Sequence, residues 1–199
     1  MPRKPDPILE QKIVAAAVRL LDRGGEDAVT LRAVAKEAGT TTPTIYERFR
    51  DREELIQQIV VLATDEILAA LQPKTSIEEM FDEYLQYCHA HPMRQNLTVG
   101  TFGKRYVAGK PMPAFDLLRS RISTQIGIKG RDCEDLALAI ASLAFGTAQG
   151  VIAAGKRTRH AKEFHRASLE ALRRLLGAFS GGKGRRRSPS GKRRKTPAG

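Results

Sequence analysis

Tryptophan is absent from the 199 residues, and cysteine occurs only twice. Cys88 and Cys133 lie 45 positions apart, which gives neither a disulfide framework nor the paired CxxC spacing of a zinc site. A reducing, cytoplasmic setting is therefore expected, and no metal. No segment alternates apolar and polar residues with period two over strand length. A glycine-rich phosphate loop, a nucleophile elbow and an HExxH pair are all missing, so no catalytic constellation and no cofactor is expected. No apolar run is read as approaching the ~18 residues of a membrane span, and no membrane partner is expected. The start, Met1-Pro-Arg-Lys-Pro-Asp6, leads into an amphipathic pattern and not into the apolar region of a signal peptide.

Acidic residues are missing from one end. Positions 180–199 hold eight Lys and Arg and no Asp or Glu, leaving +4 of the formal +12 for the other 179 residues. Basic runs of this kind attract polyanions regardless of sequence. With no large apolar residue to bury, 180–199 reads as a disordered basic tail, either an arm that adds salt-sensitive affinity for a nucleic acid or a solubilising segment without function. The remainder is long enough to bury a core without cross-links.

What is present is helical. Ile8, Ile13, Ala16, Ala17, Leu20 and Leu21 recur at helical spacing until Gly24-Gly25. Thr30 is placed to cap a short helix carrying Leu31, Val34, Ala35 and Ala38, closed by Gly39. Thr42 is expected to cap a third helix with Pro43 as its first residue, and Asp51 with Glu54 to open a fourth. Apolar positions of the fourth, from Leu55 to Leu71, run most of the way round, as in a helix buried between two domains. Thr75 with Glu78 is expected to open a fifth. Further helices are expected over Met93–Val107, Phe115–Ile126, Asp132–Ala154 and Ala161–Phe179. The fold class is all-α, with about nine helices.

Two short helices separated by Gly39-Thr40-Thr41 form a helix-turn-helix pattern, whose second helix enters the DNA major groove. Thr41, Thr42 and Thr44 offer short hydroxyls and methyls, and Pro43 an apolar surface for thymine methyls. Tyr46, Arg48, Arg50 and Arg52 can donate to phosphates, which fixes position without reading sequence. Arg32 has the reach for a guanine edge. Two short helices about a glycine turn also occur in helical bundles that bind no DNA.

The residues themselves go further. The run "ILEQKIVAAAVRLLDRGGEDAVTLRAVAKEAGTTTPTIYERFRDREELI" resembles the N-terminal domain of the TetR family of bacterial transcriptional regulators. The resemblance implies a three-helix DNA-binding domain over 1–50 and a helical ligand-binding and dimerisation domain over 51–179. It places Arg32, Thr42, Pro43, Thr44, Tyr46 and Arg48 where family members meet DNA, and Arg52 where a lysine often holds a phosphate. The implied function is a homodimeric repressor in a bacterial cytoplasm. It would bind double-stranded DNA at a palindromic operator and be released by an unidentified small-molecule effector. The alternative is a constitutive DNA-binding regulator whose larger domain only dimerises.

The larger domain matches the family loosely. Gly146 and Gly150 share a face of the helix before the last, each at a helix-propensity cost of ~1 kcal/mol that a close backbone approach can offset. The last helix carries a stripe containing Phe164, Ser168, Leu172 and Leu175. By resemblance these two helices form the dimer interface; the alternative is that the glycines pack within the chain, against the fourth helix. Candidate pocket walls are Phe81, Tyr84, Cys88, Phe102, Tyr106, Phe115, Leu118 and Phe145, with Gln149 as an orienting donor. The same residues at helical spacing also read simply as core. Cys88 and His91 could share a helix face, yet a buried cysteine before a helix-ending His-Pro explains them equally.

Overall fold

A computed structural model describes residues 7–155 and 158–180. The basic tail from 181 onward, with the role expected of it, lies outside the described residues. Nine α-helices occur among the described residues: α1 (Pro7–Gly24), α2 (Leu31–Ala38), α3 (Thr42–Tyr46), α4 (Arg52–Leu71), α5 (Ile77–Ala90), α6 (Pro92–Val107), α7 (Pro113–Ile126), α8 (Gly130–Ala154) and α9 (Arg159–Ser180). A single turn of 3-10 helix (Glu26–Ala28) joins α1 to α2.

Local chemistry starts and stops these helices, with small shifts from the expected positions. Thr30 caps α2 by accepting the Ala33 amide at 3.2 Å, and Gly39, at φ +68°, ends it in the left-handed region that glycine tolerates. The cap of α3 is Thr41 and not Thr42; its hydroxyl takes the Thr44 amide, so Pro43 sits in the first turn where its missing N–H is harmless. Asp51 caps α4 as expected, accepting the Glu54 amide at 2.8 Å. The box that opens α5 is Ser76 with Glu79, one residue later than Thr75 with Glu78. Helix α8 begins at Gly130, two residues before the expected start at Asp132, which lies in the first turn, where a negative charge meets the positive end of the helix dipole.

Two cores result. Ile13, Leu21, Val34, Ile45, Phe49 and Leu55 form one, with Met93 and Leu97 of α6 packed against it. Phe81, Leu85, Ile122, Leu136, Ile140 and Leu172 belong to the other, built from α5, α7, α8 and α9. α4 serves both ends, giving Leu55, Ile56 and Ile59 to the first core and Ile67 and Leu71 to a small cluster with Met80. Helix α8 corrects one expectation. It is long and apolar enough to cross a membrane by length and composition. In the structure it packs against α5, α7 and α9, with Leu136, Ala137, Ile140 and Ala148 buried in the second core.

Candidate nucleic-acid interface and cavity

Helices α2 and α3 project their polar side chains away from the first core. Ile45 and Phe49 anchor α3 inward, at 0% and 2% exposure. Arg32, Thr41, Pro43 and Tyr46 are exposed, and Thr42 and Thr44 half-exposed. Tyr46, at 58%, is too open to be a packing residue. The Thr41 and Thr44 hydroxyls share a hydrogen bond at 2.9 Å, which orients both at the start of α3. Glu37 ties α2 to α1 by accepting from Arg19 at 2.8 Å and Arg23 at 2.6 Å. These two guanidinium hydrogen bonds hold its carboxyl below the ordinary carboxylate value.

Two arginines of the DNA-facing set are also engaged or partly buried within the chain. Arg52 donates to the Val29 carbonyl at 2.7 Å and the Glu26 carbonyl at 2.6 Å, with the Glu26 carboxylate at 3.4 Å. Its guanidinium staples the turn before α2 to the start of α4. Arg48 is half-buried, and its Nη1 is buried without a hydrogen-bond partner. Arg50 is exposed and pairs with Asp51 at 3.1 Å.

A cavity of about 130 Å³ lies between α4, α5, α6, α7 and α8. Of the expected wall residues, Phe81, Tyr84, Phe102, Phe115, Leu118 and Phe145 line it. Cys88, Tyr106 and Gln149 do not. Cys88 is fully buried and donates to Gln95 Oε1 at 2.9 Å, and burial pushes its thiol up to about 12. Tyr106 donates to Glu134 at 2.8 Å, outside the cavity wall. Gln149 donates to Asn96 of α6 at 2.9 Å. Residues not anticipated complete the wall, among them Thr64, Thr98, Thr101, Arg105 and Met112. Nothing in the local sequence distinguishes Thr64, Thr98, Thr101 and Arg105 from surface positions of a helix, and Met112 lies in the loop before α7.

Near the cavity sits a network also absent from the sequence reading. Arg94 of α6 makes two bonds to Asp22 of α1, at 2.6 and 3.2 Å, and one to Glu66 of α4 at 2.7 Å. The Tyr87 hydroxyl of α5 donates to the same Glu66 carboxylate at 2.9 Å. Burial works against the charge of Arg94, whose side chain is 12% exposed, but the two carboxylates outweigh it and hold the guanidinium above its ordinary value. Beside it Gln95, at 0% exposure, accepts from Tyr84 at 2.8 Å as well as from Cys88.

The expected interface residues divide differently. Leu172 is 0% exposed within the single chain and belongs to its own core. Ser168 bonds Thr147 of α8 at 2.7 Å, and Leu175 is half-buried against the second core. A methyl on Gly150 would lie 2.9 Å from the Phe164 ring, so this glycine allows α9 to approach α8 rather than a second copy. Its neighbour is α9, and not the fourth helix. Gly146 faces open space. The remaining exposed stripe comprises Ala139, Ser142, Gly146 and Ala153 on α8, with Phe164 and Ala167 on α9.

Three helices with a glycine turn, two threonine caps and an outward α3 define a helix-turn-helix domain, here joined to a helical body that lines a partly open cavity. Residues 13–59 match the family described as bacterial regulatory proteins, tetR family. A stretch of 98 residues is 29% identical to an uncharacterised HTH-type transcriptional regulator of Mycobacterium tuberculosis, covering 46% of this chain and 45% of that protein. Thus the matched stretch spans under half the length of that relative. A protein of unknown function from Rhodococcus sp. RHA1 shares the fold with a TM-score of 0.66 and 21% identity, over 87% of this chain and 97% of that one. A TetR variant from Acinetobacter baumannii AYE, in complex with minocycline, does so with a TM-score of 0.63 and 18% identity, over 88% and 97%. Residues 13–59 thus match the DNA-binding domain of TetR-family regulators, and the described residues share their fold with TetR-like proteins.

Proposed function

We propose that the chain is a homodimeric repressor that reads a palindromic operator through α3 and is released when a small molecule enters the cavity. The observation that carries this reading is the double membership of α6. Its Met93 and Leu97 pack on the DNA-binding core, and Thr98, Thr101, Phe102 and Arg105 line the cavity. Arg94, next to Met93, grips both α1 and α4. A ligand that shifts α6 therefore acts on the domain that carries α3 without touching it. It shifts the equilibrium only as far as it prefers the non-binding arrangement.

DNA contact is assigned to Arg32, Thr41, Thr42, Pro43, Thr44 and Tyr46, with Arg48 at the phosphates. Assembly is assigned to the exposed small-residue stripe of α8 with Phe164 of α9, a self-complementary face of the kind two-fold dimers use. Small molecules accompany two fold neighbours: minocycline the A. baumannii protein, and imidazole the multidrug binding protein EbrR. The test couples two readouts. Compounds of a metabolite library that raise the melting midpoint are titrated against the full chain on its palindromic duplex. Repression with release predicts that the stabilising compounds also weaken DNA binding. Stabilisation with unchanged DNA affinity would make the chain a constitutive regulator whose larger domain only dimerises.

A further inference from the structure

Among the described residues, the cavity wall contains one charged side chain, Arg105, and no carboxylate. Arg105 donates to the Pro111 carbonyl at 2.7 Å, and no acidic side chain among the described residues pairs with it. The hydroxyls in the wall are already committed as donors. Thr64 bonds the Val60 carbonyl at 2.7 Å, Thr98 that of Gln95 at 3.0 Å, and Thr101 that of Leu97 at 3.1 Å. Tyr84 gives its proton to Gln95 Oε1 at 2.8 Å. Each keeps only lone pairs for a guest, so Arg105, with several N–H groups in one fork, is the side chain that can still donate. An amine would meet a charge of its own sign there. A carboxylate suits a guanidinium, which has N–H groups left beyond the one given to Pro111.

Size and shape restrict the rest of the guest. A volume of about 130 Å³ is close to the ~150 Å³ of an apolar cavity that takes benzene. The Phe102 ring meets Phe145 at 4.9 Å and 74°, and Phe115 at 5.5 Å and 84°. This edge-to-face array can accept another ring in the same manner. We propose that the cavity takes a single-ring aromatic carboxylate, its ring among Phe102, Phe115 and Phe145 and its carboxylate on Arg105. Such an occupant serves as the effector only if the reading of the cavity given above holds, so binding and release are measured separately.

Calorimetric titration of the full chain uses benzoate and phenylacetate as probes, with benzamide and benzylamine as neutral and cationic counterparts. Carboxylates are expected to bind at least about tenfold tighter than benzamide, as a charged hydrogen-bond partner implies. Benzylamine is expected to give no measurable heat. Arg105→Gln should erase the preference and Arg105→Lys keep part of it, with melting curves showing both variants folded. Equal affinity for benzamide, or benzoate binding unaffected by Arg105→Gln, would overturn the assigned ligand class and leave the cavity's regulatory reading intact. Absence of binding by every probe would also overturn it. Arg105-dependent benzoate binding that leaves operator affinity unchanged would uphold the ligand chemistry and sink the effector reading.

Discussion

Thr44 and Arg52 flank the same turn of chain but face different partners. Thr44 shares its hydroxyl with Thr41 at the outward end of α3, whereas Arg52 donates to two backbone carbonyls before α2. Thr44→Ala is therefore expected to relax base preference with the fold intact, measured by binding to a panel of operator variants. Arg52→Ala should lower the melting midpoint by roughly 3–6 °C, since hydrogen bonds from a charged group contribute more than neutral ones. A midpoint unchanged by Arg52→Ala, with uniformly weaker DNA binding, would return Arg52 to the phosphates. Glu37 offers a test by pH. Its folded value is depressed by Arg19 and Arg23, so its contribution is complete above the ordinary value of 4.5 and is lost as pH falls through the folded one. Glu37→Gln should thus be less stable than wild type at pH 7, and the two should converge well below pH 4.5. Curves that stay parallel down to acid would contradict that pairing.

Among the elements, the legible ones are those whose instructions are local. Thr30 and Asp51 accept amides within a turn of themselves and Gly39 closes α2 through its own left-handed backbone, so α2 and the start of α4 are readable to within a residue or so. The Thr41 cap is misread by one position because three threonines in a row offer the same hydroxyl. The Arg94 pairs are not readable at all: Asp22 is 72 positions away and Glu66 is 28, so no local pattern marks them. Pocket residues are legible as apolar positions, while Thr64, Thr98 and Arg105 read like any solvated helix surface. Leu172 is misplaced for a related reason, since a stripe shows that a helix face is buried without showing against what. If α6 is the coupling element, Arg94→Gln should keep DNA binding and ligand binding yet reduce the change that one causes in the other. Full coupling in that variant would exclude the Arg94 network as the route. At α8 and α9, Gly150→Ala should displace the Phe164 ring and destabilise the pair, and adding Phe164→Ala should relieve part of that loss.

For the whole molecule, two features are expected to set how it meets DNA. The exposed small-residue stripe of α8 and α9 predicts a dimer at micromolar concentration, twice the 21.9 kDa chain in sedimentation, which Gly146→Arg should split. The basic tail supplies eight positive charges that are expected to act by counterion release. Truncation after Ser180 should flatten the salt dependence of binding on any duplex, by about 3 units of log–log slope if three or four phosphate contacts are lost. A slope that does not move would leave the tail without a part in DNA affinity. The most direct measurement is selection by the full-length chain from a pool of random duplexes, read by sequencing. The account predicts one enriched palindrome whose half-sites lie one or two helical turns apart, as two α3 helices on a two-fold dimer require. Enrichment of a single unpaired half-site, or no enrichment over the input pool, would contradict it.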